Sequence, residues 1–189
     1  KLAGVKAFGG QVELVGTLGS QREGRAAQLV EQEGMVNVHP YADPYVAAGQ
    51  GTIGLEIIED QPAVDAVAVP IGAGVATAVK GLAPQVKTIG VEPAGADRYA
   101  RSRAAGQPVT LDKVDTIADG TRTDHATLFN FEMIQDKVDE LCTADDDHIR
   151  QAMVLLMTKA KLMVEPSGAL PVAAALAGRL PVEKGQKVA

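Results

Sequence analysis

The 189 residues contain no tryptophan, three tyrosines and three phenylalanines. So few rings leave no stacking platform for single-stranded nucleic acid. Positive charge is also short, with 18 Lys and Arg against 24 Asp and Glu and a net charge of −6. Neutralising a phosphate backbone needs a basic face, so this balance argues against nonspecific nucleic-acid binding. The single cysteine, Cys142, excludes an internal disulfide and suits a reducing compartment. No apolar run is long enough to span a bilayer, and no signal-peptide pattern precedes the first expected strand. The expectation is a cytoplasmic small-molecule protein with neither nucleic-acid nor membrane partners. A chain of this length buries roughly 70% of its unfolded surface, so it needs no disulfide or metal for stability.

What is present centres on residues 65–92. An almost wholly apolar run, 66–70, breaks at Ile71-Gly72-Ala73-Gly74, continues as a helix-like segment over 75–82, and returns as an apolar run over 86–91 ending on Glu92. Uninterrupted apolar runs suit strands buried on both faces, and strand, glycine turn, helix and strand make one βαβ unit. Glycine lets backbone approach a ligand, and the helix N-terminus offers unpaired N–H groups, so a phosphate is the expected guest.

Elsewhere the chain begins inside a helix that Gly9-Gly10 stops. Residues 12–15 and 36–38 read as strands, with a helix over 22–33 ended by Gly34 between them. Such strands would lack neighbours and leave exposed edges. Asp43-Pro44 reads as a turn and 49–60 as a helix with Ile53, Ile57 and Ile58 on one side. Helices follow near 97–105 and 126–135, then a short strand over 138–142. Thr143 with Asp146 resembles a capping box opening a helix to 163 with Ile149, Met153 and Leu156 inward. Glu165-Pro166-Ser167-Gly168 breaks that helix, 169–177 forms the last one, and 186–189 looks like the start of a strand. The alternation gives an α/β fold with a mostly parallel twisted sheet flanked by helices.

Single motifs carry little. Gly72-x-Gly74-x-x-Thr77 with Glu92 after the next strand invites a dinucleotide (NAD) reading, but Thr77 replaces the third small residue, and a plain tight turn serves equally. His39 before Pro40 has no nucleophile motif beside it and reads as structural. His125 and His148 lie among polar residues, and Asp145-Asp146-Asp147 suits a solvated helix start. Cys142 reads as a small buried apolar group. Glu165 before Pro166 is a carboxylate at a helix junction, solvated or functional.

The combination is more specific. His39-Pro40-Tyr41-Ala42-Asp43-Pro44, Ala48-Gly49-Gln50-Gly51-Thr52-Ile53-Gly54-Leu55-Glu56, Val69-Pro70-Ile71-Gly72, Gly90-Val91-Glu92-Pro93, Ala118-Asp119-Gly120 and Glu165-Pro166-Ser167-Gly168-Ala169 occur in this order. These six segments closely resemble the threonine dehydratase and serine racemase family. The resemblance implies a fold-type II (tryptophan synthase β-like) enzyme dependent on pyridoxal phosphate, usually a homodimer. Members release water and ammonia from threonine or serine, or racemise serine or aspartate. It implies that residues 1–43 are the second half of a smaller domain. Residues 44–189 would be most of a larger cofactor-binding domain, its C-terminal end lying beyond Ala189.

By resemblance, Gly72, Ala73 and Gly74 line the cofactor phosphate, Tyr41 lies next to the ring, and Glu165 is on the ring side of the pocket. Arg22, in Ser20-Gln21-Arg22-Glu23, matches an arginine that in the racemase branch reaches the substrate carboxylate, which a guanidinium can bind through two parallel hydrogen bonds. Glu92 and Ala96 match positions that bind a divalent cation in the racemases, but the remaining carboxylate position is Arg98. The family's Ser-Phe-Lys segment, whose lysine carries the cofactor as a Schiff base, does not occur here. Neither does Ser-Gly-Asn-His, and Ser-Gly-Gly-Asn is expected after Ala189. Lys80 and Lys161 fall on expected helices and do not match the lysine. The glycine loop is shorter than the family's, running straight from Ile71-Gly72 into Ala73-Gly74-Val75-Ala76. Tyr41 and Arg98 favour the dehydratase branch. The sequence expectation is thus a dehydratase chain, inactive without that lysine. A racemase, a non-catalytic relative and an NAD-binding domain are the alternatives.

Overall fold

The structure, a computed structural model, describes residues 2–16 and 19–189. The start of the first expected helix, Lys1, lies outside the described residues. The chain divides into two compact units at Val38 and His39.

In the first unit, α1 (Leu2–Ala7) ends at Gly9, whose φ of +79° only glycine adopts easily. Helix α2 (Gly19–Glu33) likewise ends at Gly34, φ +66°. Arg25 on α2 holds Glu13 through two hydrogen bonds, Nε to Oε1 at 2.6 Å and Nη2 to Oε2 at 3.1 Å. Residues 12–15 and 36–38, expected as strands, form no strand. A strand needs a hydrogen-bonded neighbour, and these segments have none among the described residues.

The second unit is built on a parallel sheet in the order β1 (Ala66–Val69), β2 (Lys87–Pro93), β3 (Glu140–Ala144). The expected strand at 186–189 lies parallel along the free edge of β1, bridging Ala66 to Val188. There Ala68 N–H donates to Ala189 O at 2.8 Å, and Ala189 N–H donates to Ala66 O at 3.0 Å. Both sheet faces are covered, which explains the unbroken apolar run of β1. Ala66 and Ala68 of β1, with Ile89 and Val91 of β2, pack under α7 (Asp146–Leu155) and α8 (Leu170–Leu176). Val67 faces the other way, against Val75 and Val79 of α4 (Ala73–Leu82). Tyr99 of α5 (Arg98–Ala105), with Phe131 and Ile134 of α6 (Leu128–Lys137), completes that second layer.

Helix α3 (Pro44–Asp60) starts five residues earlier than its apolar pattern suggests. Asp43-Pro44 is not a free turn but its N-cap: Asp43 Oδ1 accepts the N–H groups of Tyr45 and Val46, at 2.8 and 3.1 Å, and Pro44 occupies the first helical position. Its buried stripe is Ala47, Gly51 and Gly54, while Ile53 is exposed. Small residues face inward because α4 lies against them. A Cβ on Gly54 would stand 2.8 Å from Val75 O, and one on Gly74 would clash with Ala47 O.

Helix α7 is capped by Asp145, whose Oδ1 accepts His148 N–H at 3.0 Å, and not by a Thr143 box. Asp146 is drawn away to Thr116 Oγ1 and Ile117 N–H, at 2.7 and 3.0 Å. Ile149, Met153 and Leu156 point inward as expected, but the helix turns into a π-helical turn over Leu156–Ala160 and ends at Lys161, φ +61°. Among the described residues no helix is long and apolar enough to cross a membrane.

Candidate functional site

In open α/β sheets ligands bind outside the carboxyl ends of the strands. A cavity of about 670 Å³ lies there, where β1 passes into α4. Five of the six resemblance segments line it, through Pro40 and Tyr41, Gln50 and Ile53, Val69 to Gly72, Gly120, and Glu165. The sixth reaches it indirectly, through the contact of Glu92 with Arg98, a lining residue.

The connection from β1 to α4 is short. Ile71 and Gly72 are both left-handed, φ +65° and +43°, and Gly72 is the N-cap. Ile71 pays a steric penalty there that glycine would not. The first intrahelical bond runs from Ala76 N–H to Gly72 O at 2.9 Å. The N–H groups of Ala73, Gly74 and Val75 thus have no acceptor within the helix, the usual arrangement at a helix start and one that favours an anion. Gly72, Ala73 and Val75 line the cavity; Gly74 lines a neighbouring groove between α3, α4 and α6, with its bare Cα against Ala47.

Tyr41 stacks edge-on to His39, ring centroids 4.6 Å apart, while His39 Nδ1 accepts Ala42 N–H at 2.8 Å. That fixes the turn carrying Tyr41 and gives His39 the structural role expected of it. Opposite, a Cβ on Gly120 would stand 2.9 Å from Glu165 Oε1 and 3.0 Å from Ser167 Oγ, so Gly120 packs closely against these two side chains. Arg22 lies in the first unit, exposed on α2.

Glu92, fully buried at the end of β2, accepts the N–H groups of Tyr99 at 3.1 Å and Ala100 at 2.8 Å. Asp97, the N-cap by position, makes no side-chain cap bond, so Glu92 caps α5 from the neighbouring strand. Burial pushes its carboxyl up to about 7, against the opposing pull of Arg98 and the two N–H groups. A carboxylate held this way has no reach to a ribose, which overturns the dinucleotide reading of Gly72-x-Gly74. Thr77 spends its hydroxyl on Ala73 O at 2.8 Å. Nor do Glu92 and Ala96 form a divalent-cation site, because Arg98 Nη1 touches both, at 3.5 Å from Glu92 Oε1 and 3.4 Å from Ala96 O.

Residues the sequence reading passed over complete the wall. Thr123, Asn130 and Tyr99 line the cavity. Arg98 Nε, Thr123 Oγ1 and Asn130 Oδ1 are buried without a hydrogen-bond partner among the described residues. Each such group costs about 1–3 kcal/mol unless something meets it, so the wall is ready for a polar ligand. The one signal was Asn130, a polar residue between Phe129 and Phe131 on a helix. Cys142, half-buried on β3, has its thiol pushed up to about 11 by burial and is an inert packing group.

A glycine turn, free helix N–H groups and unmet polar atoms fit a phosphate-bearing polar cofactor. Among the described residues no lysine lines the cavity. Lys80 is tied to Val86 O at 2.9 Å and to the Asp139 carboxylate at 2.6 Å, and exposed Lys161 donates to Thr158 O at 2.7 Å.

The fold and this cavity define a doubly wound α/β chain with a ligand site at the carboxyl edge of its sheet. The profile of the family described as pyridoxal-phosphate dependent enzyme matches residues 1–189, and the chain belongs to that family. It is 38% identical over 194 residues to the L-threonine ammonia-lyase of Thermotoga maritima, covering 100% of this chain and 48% of that protein. It is also 38% identical over 181 residues to the serine racemase of Oryza sativa subsp. indica, covering 93% of this chain and 53% of the relative. The structure of maize serine racemase superposes with a TM-score of 0.90 at 33% identity, covering 99% of this chain and 59% of the other. The architecture is that of the fold-type II pyridoxal-phosphate enzymes related to threonine dehydratases and serine racemases. The chain spans about half the length of these curated relatives.

Proposed function

We propose that the chain is the cofactor-holding part of a threonine or serine ammonia-lyase, which gives a 2-oxo acid and ammonia. The observation that supports this most is the gathering of five resemblance segments around one cavity at the carboxyl edge of a parallel sheet. In this reading Gly72, Ala73 and Gly74 hold the cofactor phosphate through backbone N–H groups and the field of α4. Tyr41 flanks the ring and Glu165 lies on its side, while Arg22 is the candidate for a substrate carboxylate, by its likeness to the racemase-branch arginine. Pyridoxal phosphate supplies an electron sink for the substrate α-carbon. Residues 1–43 then belong to the smaller domain and 44–189 to the larger, and the enzyme is a cytoplasmic homodimer.

Binding tests the cradle. In calorimetric titration, pyridoxal phosphate is expected to saturate the polypeptide, inorganic phosphate to compete, and pyridoxal without its phosphate to bind at least ~10-fold more weakly. No binding would leave a non-catalytic relative as the better reading. Because no lysine among the described residues lines the cavity, these 189 residues alone are expected to release no ammonia from L-threonine or L-serine, and robust release would refute that. The serine racemase reading keeps its support from the equal identity to the rice enzyme. It predicts D-serine as the main product from L-serine where activity is found, whereas the lyase reading predicts pyruvate and ammonia. Sedimentation that finds only monomer at micromolar concentration would reject the dimer.

A further inference from the structure

Three oxygens from separate segments surround one nitrogen of Arg98. Nη1 lies 3.1 Å from Thr121 O, 3.4 Å from Ala96 O and 3.5 Å from Glu92 Oε1. The assembly is buried: Glu92 and Ala96 are fully so, and Arg98 and Thr121 are 5% and 8% exposed. One carboxylate and two backbone carbonyls form the kind of oxygen set that a hard divalent cation selects. Here a side chain that always carries its charge stands among them.

We propose that the Arg98 guanidinium is a built-in replacement for a divalent cation, joining β2, the start of α5 and the 118–121 turn without any metal. The geometry supports this in two ways. A cation needs oxygens at about 2.1–2.6 Å, and it cannot approach Glu92 and Ala96 while Nη1 stands between them. Removing the guanidinium would leave Glu92 with the two N–H groups of α5 but without a positive counter-charge, an arrangement that burial penalises. The clamp also borders the ligand cavity, because Arg98, Thr121 and Gly120 line it. A tie among these segments therefore holds one wall of that cavity in shape without metal.

Thermal unfolding in EDTA and in millimolar Mg²⁺, Ca²⁺ or Mn²⁺ tests it. The unaltered protein is expected to shift by less than about 1 °C, within ordinary nonspecific salt effects on stability. Arg98→Asp returns a carboxylate to the site and removes the competing charge. Its Tm is expected to fall in EDTA and to recover with divalent cation by roughly 5–10 °C near ~100 times Kd. Adding Glu92→Gln to Arg98→Asp should abolish that recovery. Lost packing alone would lower Tm without making it cation-dependent. Two results overturn the proposal: cation stabilisation of the unaltered protein that Glu92→Gln removes, or a folded Arg98→Asp protein indifferent to all three cations. If Arg98→Asp does not fold, the unaltered protein in EDTA and in cation decides alone.

Discussion

Alanine at Gly54 and alanine at Gly49, five positions apart on α3, should change stability in opposite directions. Both glycines are helical, and on propensity alone either replacement gains about 1 kcal/mol. At Gly49 nothing lies within 4 Å of the new Cβ, so that gain is kept. At Gly54 the Cβ would stand 2.8 Å from Val75 O, 3.1 Å from Ala78 Cβ and 3.2 Å from Val79 Cγ2. Val75 O belongs to the backbone of α4 and cannot rotate away, so the cost falls in the upper part of the ~1–3 kcal/mol range for overpacking. The net effect at Gly54 is a loss of about 1–2 kcal/mol. For a chain of this size that lowers Tm by roughly 3–6 °C, while Gly49→Ala raises it by roughly 2–4 °C. Circular-dichroism melts with matched urea titrations measure both. A Gly54→Ala protein as stable as Gly49→Ala would show that α3 and α4 are not in the close contact described, and the account of the Gly-rich segment would fail.

Other expectations follow from single contacts. Asp43→Ala removes the α3 cap and should cost about 1 kcal/mol, with Asp43→Asn retaining most of it, read from the same melts. Burial alone would raise the Asp139 carboxyl, but the Lys80 ammonium and the Thr88 N–H and hydroxyl outweigh it and hold it below its ordinary value. A carboxyl depressed in the folded state contributes stability above its unfolded pKa and loses it as pH falls through the folded one. Stability should therefore decline below about pH 4, and Asp139→Asn should be less stable at pH 7 with a flatter acid limb in urea titrations. Cys142, half-buried with its thiol raised to about 11, should react with a disulfide reagent at pH 8 far more slowly than a free thiol. It should become fully reactive in denaturant, and fast reaction in the folded protein would contradict its packing role.

The βαβ unit was legible because β1 is an unbroken apolar run, Ala66–Val69, and β2 is apolar apart from Lys87, Thr88 and Glu92, as strands buried on both faces require. The order of the six segments identified the family, and the glycine turn marked the start of α4. Other features depended on partners distant in the chain. Residues 12–15 have strand-like alternation, but a strand exists only when paired, and pairing is not local. The early start of α3 was readable in Asp43-Pro44, which serves a turn and a helix cap equally until the chain after it is seen to coil. Ile53 looked like core and is exposed, because a close neighbour selects the small residues Gly51 and Gly54 for the inner face. Glu92 looked like a ligand-binding acid at the end of a strand. Its role as the cap of α5 and the counter-charge of Arg98 is fixed by groups from α5, which only the folded chain brings to it. Sequence by itself determined the family, the parallel sheet and the place of the cavity, since these follow from patterns of burial and backbone freedom along the chain. Tertiary structure decided whether each polar group meets a ligand or another part of the protein, because a buried charge takes whichever partner the packing supplies.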